Sequence, residues 1–472
     1  MKNRQFLAHV LGFVGLGGCA TVDPKLDYNR VAQAVQSATG VSITVDPEDE
    51  SMAQAGVAEI LQNGITADEA VRLCVLNNPR LQAAFLRVGI GRADVVQSGL
   101  FSNPGLAVTL RFPDGGGLAD FEVSLAQNIA ELWQIKHRRR TTERDLDQTI
   151  LTLAREASSA AYNAHSAYVR ALQMDRRLEI ARENLMIAEQ LVTLAAARQE
   201  AGSGTEVDVN LVRAERVSLD VASRTSWVAA VEARTNLSKV LGIATLPGDL
   251  LLTDPLPETV HLTFTPEQLV EAARTNRPDL KAADAVTQSS AARLVYERSR
   301  CLKTVELGIS MERGERAAGD PVSTDYVTGP TLNLELPLFD QNQAQIARAE
   351  FELLQARYLK EAMDREIVQE AWAVHARAKT AFETSGFMRN ELLPLREKGL
   401  TLAREAYRVG STTLLTVLDA QRRLLEARAG YVDVQAAAGL ARIDLERIAG
   451  QPFARLSAPR EPIQSLTSEN KP

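Results

Sequence analysis

The side chains best suited to chemistry are few in this chain and lie far apart. Five histidines show no spacing typical of metal ligands, and they stand at His9, His137, His165, His261 and His375. The segment Val88-Gly89-Ile90-Gly91 follows a predicted helix and is too short for a nucleotide-binding loop. We recognise no catalytic set. The sequence therefore predicts a protein that is not an enzyme and that uses no metal and no dissociable cofactor.

One cysteine, Cys19, is placed for covalent lipid attachment. It follows two early basic residues and a mostly apolar stretch over residues 6–16, which is the pattern of a secretory signal. Leu16-Gly17-Gly18-Cys19 resembles the bacterial lipobox, so we expect a signal peptide over residues 1–18 and lipid, such as palmitate, on Cys19. Ala20 stands where an Asp would retain a lipoprotein at the inner membrane, which implies sorting to the outer membrane. The alternative is an ordinary signal peptide with an incidental cysteine.

The two other cysteines are Cys74, on a predicted helix, and Cys301, just before a predicted strand. Their spacing gives no indication of a disulfide. We expect two unpaired and mostly buried thiols.

The composition favours long helices and argues against nucleic-acid binding. Of the 472 residues, 45% are hydrophobic but only 5% are aromatic, and alanine is very common, as in closely packed helices. The formal net charge of -7 differs from the basic balance of nucleic-acid binders. We interpret the basic run His137-Arg138-Arg139-Arg140 as a solvated helix face just below the predicted strands. The sequence contains no run of about 20 apolar residues, so we predict no transmembrane helix.

Four short segments alternate strictly between apolar and polar residues, and two lie in each half of the chain. They occupy residues 106–112, 121–126, 305–312 and 332–338, with loops predicted over 113–120 and 314–330. A two-residue period places the apolar side chains of a strand on one face. One apolar and one polar face is what the wall of a transmembrane β-barrel requires. Because four strands cannot close a barrel alone, the chain must form oligomers or pack these strands in another way.

An internal duplication surrounds these strands. Four residues of the first half recur at a constant offset of 199, with Thr66, Asn77, Pro79 and Leu81 matching Thr265, Asn276, Pro278 and Leu280. Each threonine is suited to cap a helix, which we expect to run about 30 residues to the first strand of its half. Very long helices are then predicted over about 131–199 and 341–408. Each breaks at a glycine turn and returns in a helix that ends near Gly242 or Gly450.

The long helices show the heptad pattern of coiled coils. Apolar residues recur every seven positions at Leu178, Leu185 and Val192, and at Ala181, Ala188 and Ala195. A 3-4 spacing recurs at Val417, Ala420, Leu424, Ala427, Tyr431 and Val434. A soluble antiparallel bundle fits this pattern equally well, and the strands make that interpretation the weaker one. Pro394 has no counterpart in the first half, so we expect it to kink the second long helix or adjust its superhelix.

These patterns divide the chain into two structural repeats with flanking segments. Each repeat, over residues 65–242 and 265–450, comprises a helix, two strands and a long helical hairpin. The flanks are the signal peptide, a lipidated N-terminal segment with an equatorial part, an equatorial linker and a C-terminal tail, over residues 1–18, 19–64, 243–264 and 451–472.

The chain resembles the TolC-like outer-membrane efflux family over about residues 65–450. Single motifs are weakly specific, whereas their order and duplication are specific. The motifs that carry the resemblance are Asn77-Asn78-Pro79-Arg80-Leu81, Ser102-Asn103-Pro104-Gly105, Asn276-Arg277-Pro278-Asp279-Leu280, Leu336-Pro337-Leu338-Phe339-Asp340, Tyr407-Arg408-Val409-Gly410 and Leu415-Thr416-Val417-Leu418-Asp419-Ala420-Gln421-Arg422. The resemblance implies a mostly α fold with a membrane β-barrel part. Each chain would supply a duplicated long-helix α-barrel segment and four strands, and a homotrimer would close a twelve-stranded barrel.

The same resemblance implies a function in conduction. The chain would be the exit duct of a tripartite efflux pump for small molecules or metals, lipid-anchored in the bacterial outer membrane and extending into the periplasm. Its implied partners are outer-membrane lipid, a periplasmic adaptor protein and an inner-membrane transporter of the resistance-nodulation-division type, with no nucleic acid. Two alternatives stay open: the duct of a type I protein secretion system and a periplasmic coiled-coil scaffold lipoprotein.

The resemblance also implies two functional regions on the helices. The glycine turns would dock the adaptor through Gly202, Gly204 and Thr205, and through Arg408, Val409, Gly410, Ser411 and Thr412. A periplasmic gate would be lined by three residues on one helical face, Leu415, Asp419 and Arg422. The first repeat has Val209, Arg213 and Arg216 there, so the two faces are not equivalent. The alternative for the glycine turns is that they are plain helix turns without a docking role. The alternative for Asp419 and Arg422 is that they are solvated surface charges.

Overall fold

The structure is a computed structural model, which describes residues 20–42, 60, 64–112, 114, 117–243, 250–258, 260–313, 316–317 and 326–457. The predicted signal peptide and Cys19 lie outside these described residues. None of the described helices combines the length and apolar character that crossing a lipid bilayer requires.

The elements of the two halves follow one another in the same order. The first half contains α1 (Lys25–Thr39), α2 (Ala67–Asn77), α3 (Pro79–Ser98), β1 (Gly105–Arg111), β2 (Gly117–Leu118), β3 (Asp120–Asn128), α4 (Glu131–Glu200) and α5 (Glu206–Leu241). The second half contains α6 (Pro266–Asn276), α7 (Pro278–Ser299), β4 (Val305–Arg313), β5 (Arg316–Ala317), β6 (Val327–Leu334), α8 (Gln343–Phe387), α9 (Leu393–Arg408), α10 (Leu414–Ala449) and α11 (Phe453–Leu456). The order from α2 to α5 thus recurs from α6 to α10, while α1 arises from a segment without strong sequence periodicity.

Each repeat opens with a capped helix, as its threonine predicts. The Thr66 hydroxyl accepts a hydrogen bond from the backbone N–H of Glu69 at 3.3 Å. In return, the Glu69 carboxylate accepts one from the backbone N–H of Thr66 at 2.8 Å. Thr265 and Gln268 form the same reciprocal cap at the start of α6. These caps satisfy backbone donors that the first helical turn leaves free.

The expectation of one helix of about 30 residues after each cap is wrong. The chain is extended at Asn78, with φ -76° and ψ 113°, and at Arg277, with φ -57° and ψ 125°. Each of these residues precedes a proline, whose ring disfavours the helical conformation at the residue before it. Pro79 and Pro278 then begin α3 and α7.

The predicted long hairpins are present, and the second is irregular near its proline. The first long helix, α4, spans 70 residues from Glu131 to Glu200. The second is interrupted by a π-helical turn over Met388–Leu392, which separates α8 from α9. Pro394 lies in the first turn of α9 and has no N–H to donate to the preceding turn, so a local departure from α geometry follows.

Four strands form one antiparallel sheet in the order β1-β3-β4-β6. Three predicted strands are confirmed, but the fourth is displaced toward the N-terminus. β6 covers Val327–Leu334, so the predicted strand over 335–338 and the predicted loop over 327–330 are wrong. Pro337 has no N–H to extend the ladder, and the last contact is the Glu335 N–H donating to the Thr304 carbonyl at 3.3 Å.

A second, two-stranded ribbon connects the segments expected to be loops. Gly117–Leu118 pairs antiparallel with Arg316–Ala317. Neither piece is long enough to show alternation in the sequence, so the two-residue period could not predict it.

The contacts of the chain define two compact units, each built from three stretches. One unit takes the described residues within 1–27, 86–150 and 283–360, and it contains the four-stranded sheet. The other takes those within 28–85, 151–282 and 361–472, and it contains the returning helices and the glycine turns.

A buried tyrosine fastens α4 to two extended segments of the helical unit. The hydroxyl of Tyr168, which is 1% exposed, donates to the Ile65 carbonyl at 2.7 Å and accepts from the Asp254 N–H at 3.2 Å. Burial raises the pKa of Tyr168 to about 12. The hydroxyl therefore stays protonated and keeps donating its hydrogen bond at neutral pH.

The two described cysteines are unpaired, but their environments differ. Cys74 is buried on α2, and burial raises the pKa of its thiol to about 11, so it stays a protonated core residue. Cys301 is exposed, so the expectation of burial is wrong for it. It lies in the short turn between α7 and β4, where the side chain has no core to enter.

The returning helices end at two glycines with left-handed backbone conformation. Gly242 follows α5 with φ 73°, and Gly450 follows α10 with φ 65°. A Cβ atom on Gly242 would lie 2.9 Å from the Cα atom of Asn78, and one on Gly450 would lie 2.7 Å from that of Arg277. Each repeat therefore closes by packing its last glycine onto the extended residue that separates its first two helices.

We expect Gly450→Ala to destabilise the protein by about 2–4 kcal/mol, because the left-handed conformation and the backbone clash both oppose a side chain. The matched control is Gly399→Ala on the exposed surface of α9, where no atom of the described part of the chain lies within 4 Å of the new methyl group. That control should raise stability by up to about 1 kcal/mol through helix propensity. Thermal unfolding followed by circular dichroism measures both changes, and equal midpoints for the two variants would contradict the closing role of Gly450.

Candidate functional site: the sheet and the helical tips

The strand register aligns the apolar residues of all four strands on one face. Leu106 of β1 pairs with Leu125, which pairs with Ile309, which pairs with Pro330. The neighbouring row continues this face with Val108, Val123, Met311 and Thr328. Several of these side chains are exposed, and Leu106 is 68% exposed. The sheet therefore presents to its surroundings a largely apolar face, as the two-residue period predicts, with the polar residues Gln127, Arg313 and Thr328 on the same face.

The opposite face of the sheet is polar. One row across the strands consists of Ala107, Ser124, Ser310 and Gly329, and the next begins with Thr109, Glu122 and Glu312. Glu122 and Glu312 lie directly opposite each other, and like charges in such a pair are destabilising. Arg111 compensates in part, because its guanidinium contacts Asp120 at 3.0 Å and Glu122 at 3.7 Å. Sequence alternation alone does not reveal this pairing, because it depends on the register between strands from different halves.

The two outer strands of this sheet carry unpaired edges among the described residues. β1 pairs only with β3, and β6 pairs only with β4. Backbone N–H and C=O groups along a free edge are a template for pairing with another strand. The sheet is therefore incomplete on both sides in a single chain.

The two helical tips have the predicted glycine turns. Gly202 has φ 73° and Gly410 has φ 77°, and a Cβ atom added at either position would meet no atom of the described residues within 4 Å. Thr205 caps α5, its hydroxyl accepting from the Asp208 N–H at 3.1 Å. Val409 projects outward with 72% exposure. Both turns therefore contain a glycine in the left-handed conformation, and their outer surfaces are open.

A contact between the two hairpins lies just behind the tips. The guanidinium carbon of Arg198, near the end of α4, lies 4.4 Å from the ring centroid of Tyr407, near the end of α9. Cation–π contacts of this kind are worth about 0.5–1 kcal/mol at exposed sites. Ala195, Val209, Val212 and Leu414 form a buried cluster beside it, which holds α4, α5 and α10 together.

The residues predicted for the gate lie on one exposed face of α10. Leu415 is 62% exposed, whereas its counterpart Val209 is 2% exposed, so the two repeats differ here as their sequences indicate. Asp419 accepts a hydrogen bond from Arg423 at 2.8 Å. Arg422 reaches across to Glu215 on α5, with 3.3 Å between Nη2 and Oε2. The arginine thus pairs with a carboxylate of the other repeat in the same chain.

A small cavity adjoins this ion pair. It has a volume of about 10 Å³ and is lined by Ala188, Leu191, Val212, Glu215, Leu418, Gln421, Arg422 and Leu425. Gln421 is 4% exposed, and its Oε1 atom has no hydrogen-bond partner among the residues that the structure describes. Glu215 and Gln421 occupy equivalent positions in the two repeats. This helix position therefore carries a carboxylate that pairs with Arg422 in the first repeat and a buried amide in the second.

Several other residues considered from the sequence lie apart from these regions. Cys19, the predicted lipid attachment site, lies outside the described residues. His375 contacts the Phe264 carbonyl at 3.0 Å, and burial lowers the pKa of His165. In the part of the chain that the structure describes, no group of His, Cys, Asp and Glu is placed to hold a metal ion.

The sheet and the duplicated hairpins define a mostly helical chain with one small antiparallel sheet, and comparison with known proteins shows which family this architecture resembles. The model of the family described as outer membrane efflux protein matches residues 269–451. The second half of the chain therefore carries an outer membrane efflux protein domain, and the resemblance to the TolC-like family is confirmed.

The relatives include proteins of different export systems. The chain is 28% identical over 276 residues to the pyoverdine export outer membrane protein OpmQ of Pseudomonas putida, covering 55% of each chain. It is 23% identical over 399 residues to the cobalt-zinc-cadmium resistance protein CzcC of Cupriavidus metallidurans, covering 82% of this chain and 90% of CzcC. The chain spans somewhat more than half the length of the two pyoverdine export proteins that it matches.

Solved structures share the fold. A structure of CusC, described in terms of folding and transmembrane channel formation, superposes with a TM-score of 0.67 at 18% identity and covers 81% of this chain and 91% of that one. Similarity at this level of identity supports the fold: long helices joined to a small antiparallel sheet.

We expect Val108→Arg to reduce insertion into lipid vesicles, because a lipid-facing arginine at mid-depth costs about 2–4 kcal/mol. Thr109→Arg is the matched control, since it places the same side chain one residue further along β1 on the polar face opposite Glu122. Flotation of refolded protein with vesicles measures the inserted fraction. Equal insertion of the two variants would mean that the apolar face does not contact lipid.

Proposed function

We propose that three copies of this chain form the outer-membrane exit duct of a tripartite efflux pump. The observation that carries the proposal is the sheet, because a largely apolar exposed face is unfavourable in water and suited to lipid. β1 of one copy would pair with β6 of the next, so that twelve strands close into a barrel. Closure removes every free edge, which a lipid environment requires.

In this arrangement the polar face of the sheet lines a water-filled passage. Ser124, Ser310 and Thr109 lie on that face with the carboxylates of Glu122 and Glu312. Conduction through such a passage is passive, and the energy comes from the inner-membrane transporter. The relatives are named for pyoverdine, for cobalt, zinc and cadmium, and for toluene, and we propose small molecules or metal ions as the cargo class here.

The helical tips are the proposed docking sites for a periplasmic adaptor protein, which connects the duct to a transporter of the resistance-nodulation-division type. The tips suit this role because their left-handed glycines allow tight turns that leave side chains such as Val409 exposed. The contact between Arg198 and Tyr407 holds the two tips of one chain together. An adaptor would therefore meet both tips as one surface.

The proposed lipid anchor on Cys19 is compatible with the described residues that follow it. α1 begins at Lys25, and Asp27 in its first turn is 1% exposed and pairs with Arg92 of α3 at 2.6 Å. Both residues belong to the unit that contains the sheet. A chain fastened there would carry its lipid close to the membrane-embedded strands.

The function is tested by assembly and conductance of the purified full-length protein. In detergent the protein should be trimeric by sedimentation, and in planar bilayers it should form stable water-filled channels. A protein that stays monomeric in water without surfactant, or trimers without conductance, would rule out the duct. A scaffold lipoprotein would give the first of these results.

The gate is tested by a double substitution, Leu415→Ala with Asp419→Ala. If these residues form the constriction of the closed trimer, the variant should conduct several-fold more than the native channel, because the apolar plug and its ring of charge are both removed. The control is Val221→Ala with Asp220→Ala further along α5, which also removes one exposed aliphatic side chain and one aspartate that pairs with an arginine four residues on, outside the proposed constriction. Unchanged conductance of the gate variant would leave Asp419 and Leu415 as surface residues.

A further inference from the structure

The first turns of α4 form one side of an open cleft that combines apolar and basic side chains. The cleft has a volume of about 770 Å³ and is lined by Phe101, Leu132, Ile135, Lys136, Arg139, Arg140, Glu143, Arg144 and Asp147. All of these residues belong to the unit that contains the sheet. The proposed function uses none of them.

The cations of this cleft are only partly neutralised. Arg139 pairs with Glu143 at 2.9 Å, and Arg144 pairs with Asp147 at 3.4 Å. Lys136 and Arg140 are exposed and, within the described part of the chain, have no carboxylate within ion-pairing distance. The cleft therefore holds two surplus positive charges in a chain whose formal net charge is -7.

The spacing of the two surplus cations suits one phosphate group. Lys136 and Arg140 are four residues apart on a helix, so their side chains lie on one face about 6 Å apart along its axis. Leu132, 68% exposed, lies one further turn toward the sheet, and Phe101, 53% exposed, lines the same cleft. An anion that bridged the cations would thus adjoin apolar side chains on the side nearer the strands.

The second repeat shows that the fold does not require these charges. Leu132 and Trp133 correspond to Leu338 and Phe339 at an offset of 206 residues, the same offset as that of the glycine turns. At that offset the four basic residues of the cleft are replaced by uncharged or acidic ones, Asn342, Gln345, Ile346 and Glu350. The nearby Arg348 is paired with Glu352 at 2.8 Å.

We propose that this cleft binds the headgroup of an anionic phospholipid from the periplasmic leaflet of the outer membrane. The inference rests on the proposed membrane location of the sheet. α4 begins three residues after β3 ends, so its first turns lie where the lipid-facing wall gives way to the headgroup layer. Lys136 and Arg140 would bind the phosphate, while Leu132 and Phe101 of the cleft would contact the adjoining acyl chains, the usual division at a membrane interface. Trp133 does not line the cleft, but it is 39% exposed beside Leu132 and would meet the same lipid layer. The apolar part of the cleft favours this ligand over a soluble anion.

The test is a titration of delipidated full-length protein in detergent, followed by native mass spectrometry. Phosphatidylglycerol should bind at least about tenfold more tightly than phosphatidylcholine, since each basic residue near an anionic surface contributes about 1 kcal/mol. Lys136→Gln with Arg140→Gln should abolish that preference. Glycerophosphoglycerol and inorganic phosphate should not compete; competition by either would assign the cleft to a soluble anion and overturn the proposal.

The matched control is Lys398→Gln with Arg404→Gln, which removes two exposed charges from α9 in the other unit. It should keep the preference for phosphatidylglycerol. An equal loss in both double variants would mean that total charge, and not the cleft, selects the lipid. Preference retained after substitution of Lys136 and Arg140 would also overturn the proposal.

A second measurement needs no change at the cations. In a Trp227→Phe and Trp372→Phe background, Trp133 is the remaining tryptophan, and brominated phosphatidylglycerol should quench its fluorescence more than brominated phosphatidylcholine does. Equal quenching would overturn the inference even if the double variant failed to fold. Conductance of the same preparations separates the two proposals, because channels without lipid preference contradict only the cleft, whereas the absence of channels contradicts the duct itself.

Discussion

One constraint governs the fold: the sheet carries an exposed apolar face, which is unfavourable in water, and two free backbone edges, which need hydrogen-bond partners. Burying the face in lipid satisfies the side chains, but it makes the unpaired amides of β1 and β6 more costly, because lipid offers them no hydrogen-bond partner. Only pairing with further strands resolves both demands together. In the proposed arrangement the membrane environment and the oligomer both follow from this sheet, and neither would suffice alone.

The two repeats share the contacts that begin and end them, whereas their exposed surfaces differ. Both repeats open with a reciprocal threonine cap and close with a left-handed glycine packed on the residue before a proline. The exposed faces differ, because Val209 is buried where Leu415 is exposed. Specialised surfaces thus arise on positions that the backbone arrangement leaves free to change.

Much of this architecture can be predicted from the sequence, because its signals are local and periodic. Strand alternation, threonine caps and glycine turns each follow from interactions within a few residues. The break at Asn78 and the early end of β6 are signalled by Pro79 and Pro337, and an apolar pattern extended across those prolines misses both.

The features that the sequence could not supply depend on contacts between distant segments. The pair between Arg422 and Glu215 joins residues that are 207 positions apart. The opposition of Glu122 and Glu312 depends on the register of two strands from different halves. The strands β2 and β5 have two residues each, which is too few to show an alternation of apolar and polar residues in the sequence. Their positions follow only once the packing of the two repeats is known.

The π-helical turn at Met388–Leu392 has a consequence for the phase of the helix beyond it. A wider turn holds an additional residue, so the side chains of α9 are rotated by about 100° from the directions that an unbroken α-helix would give them. Leu400 enters the cluster with Val417 and Leu424 from this rotated frame. The number of residues in the π-helical turn therefore sets the rotation of α9 about its own axis. Deletion of one residue from that turn would make a different face of α9 pack inward, although the residues of the second tip would be unchanged.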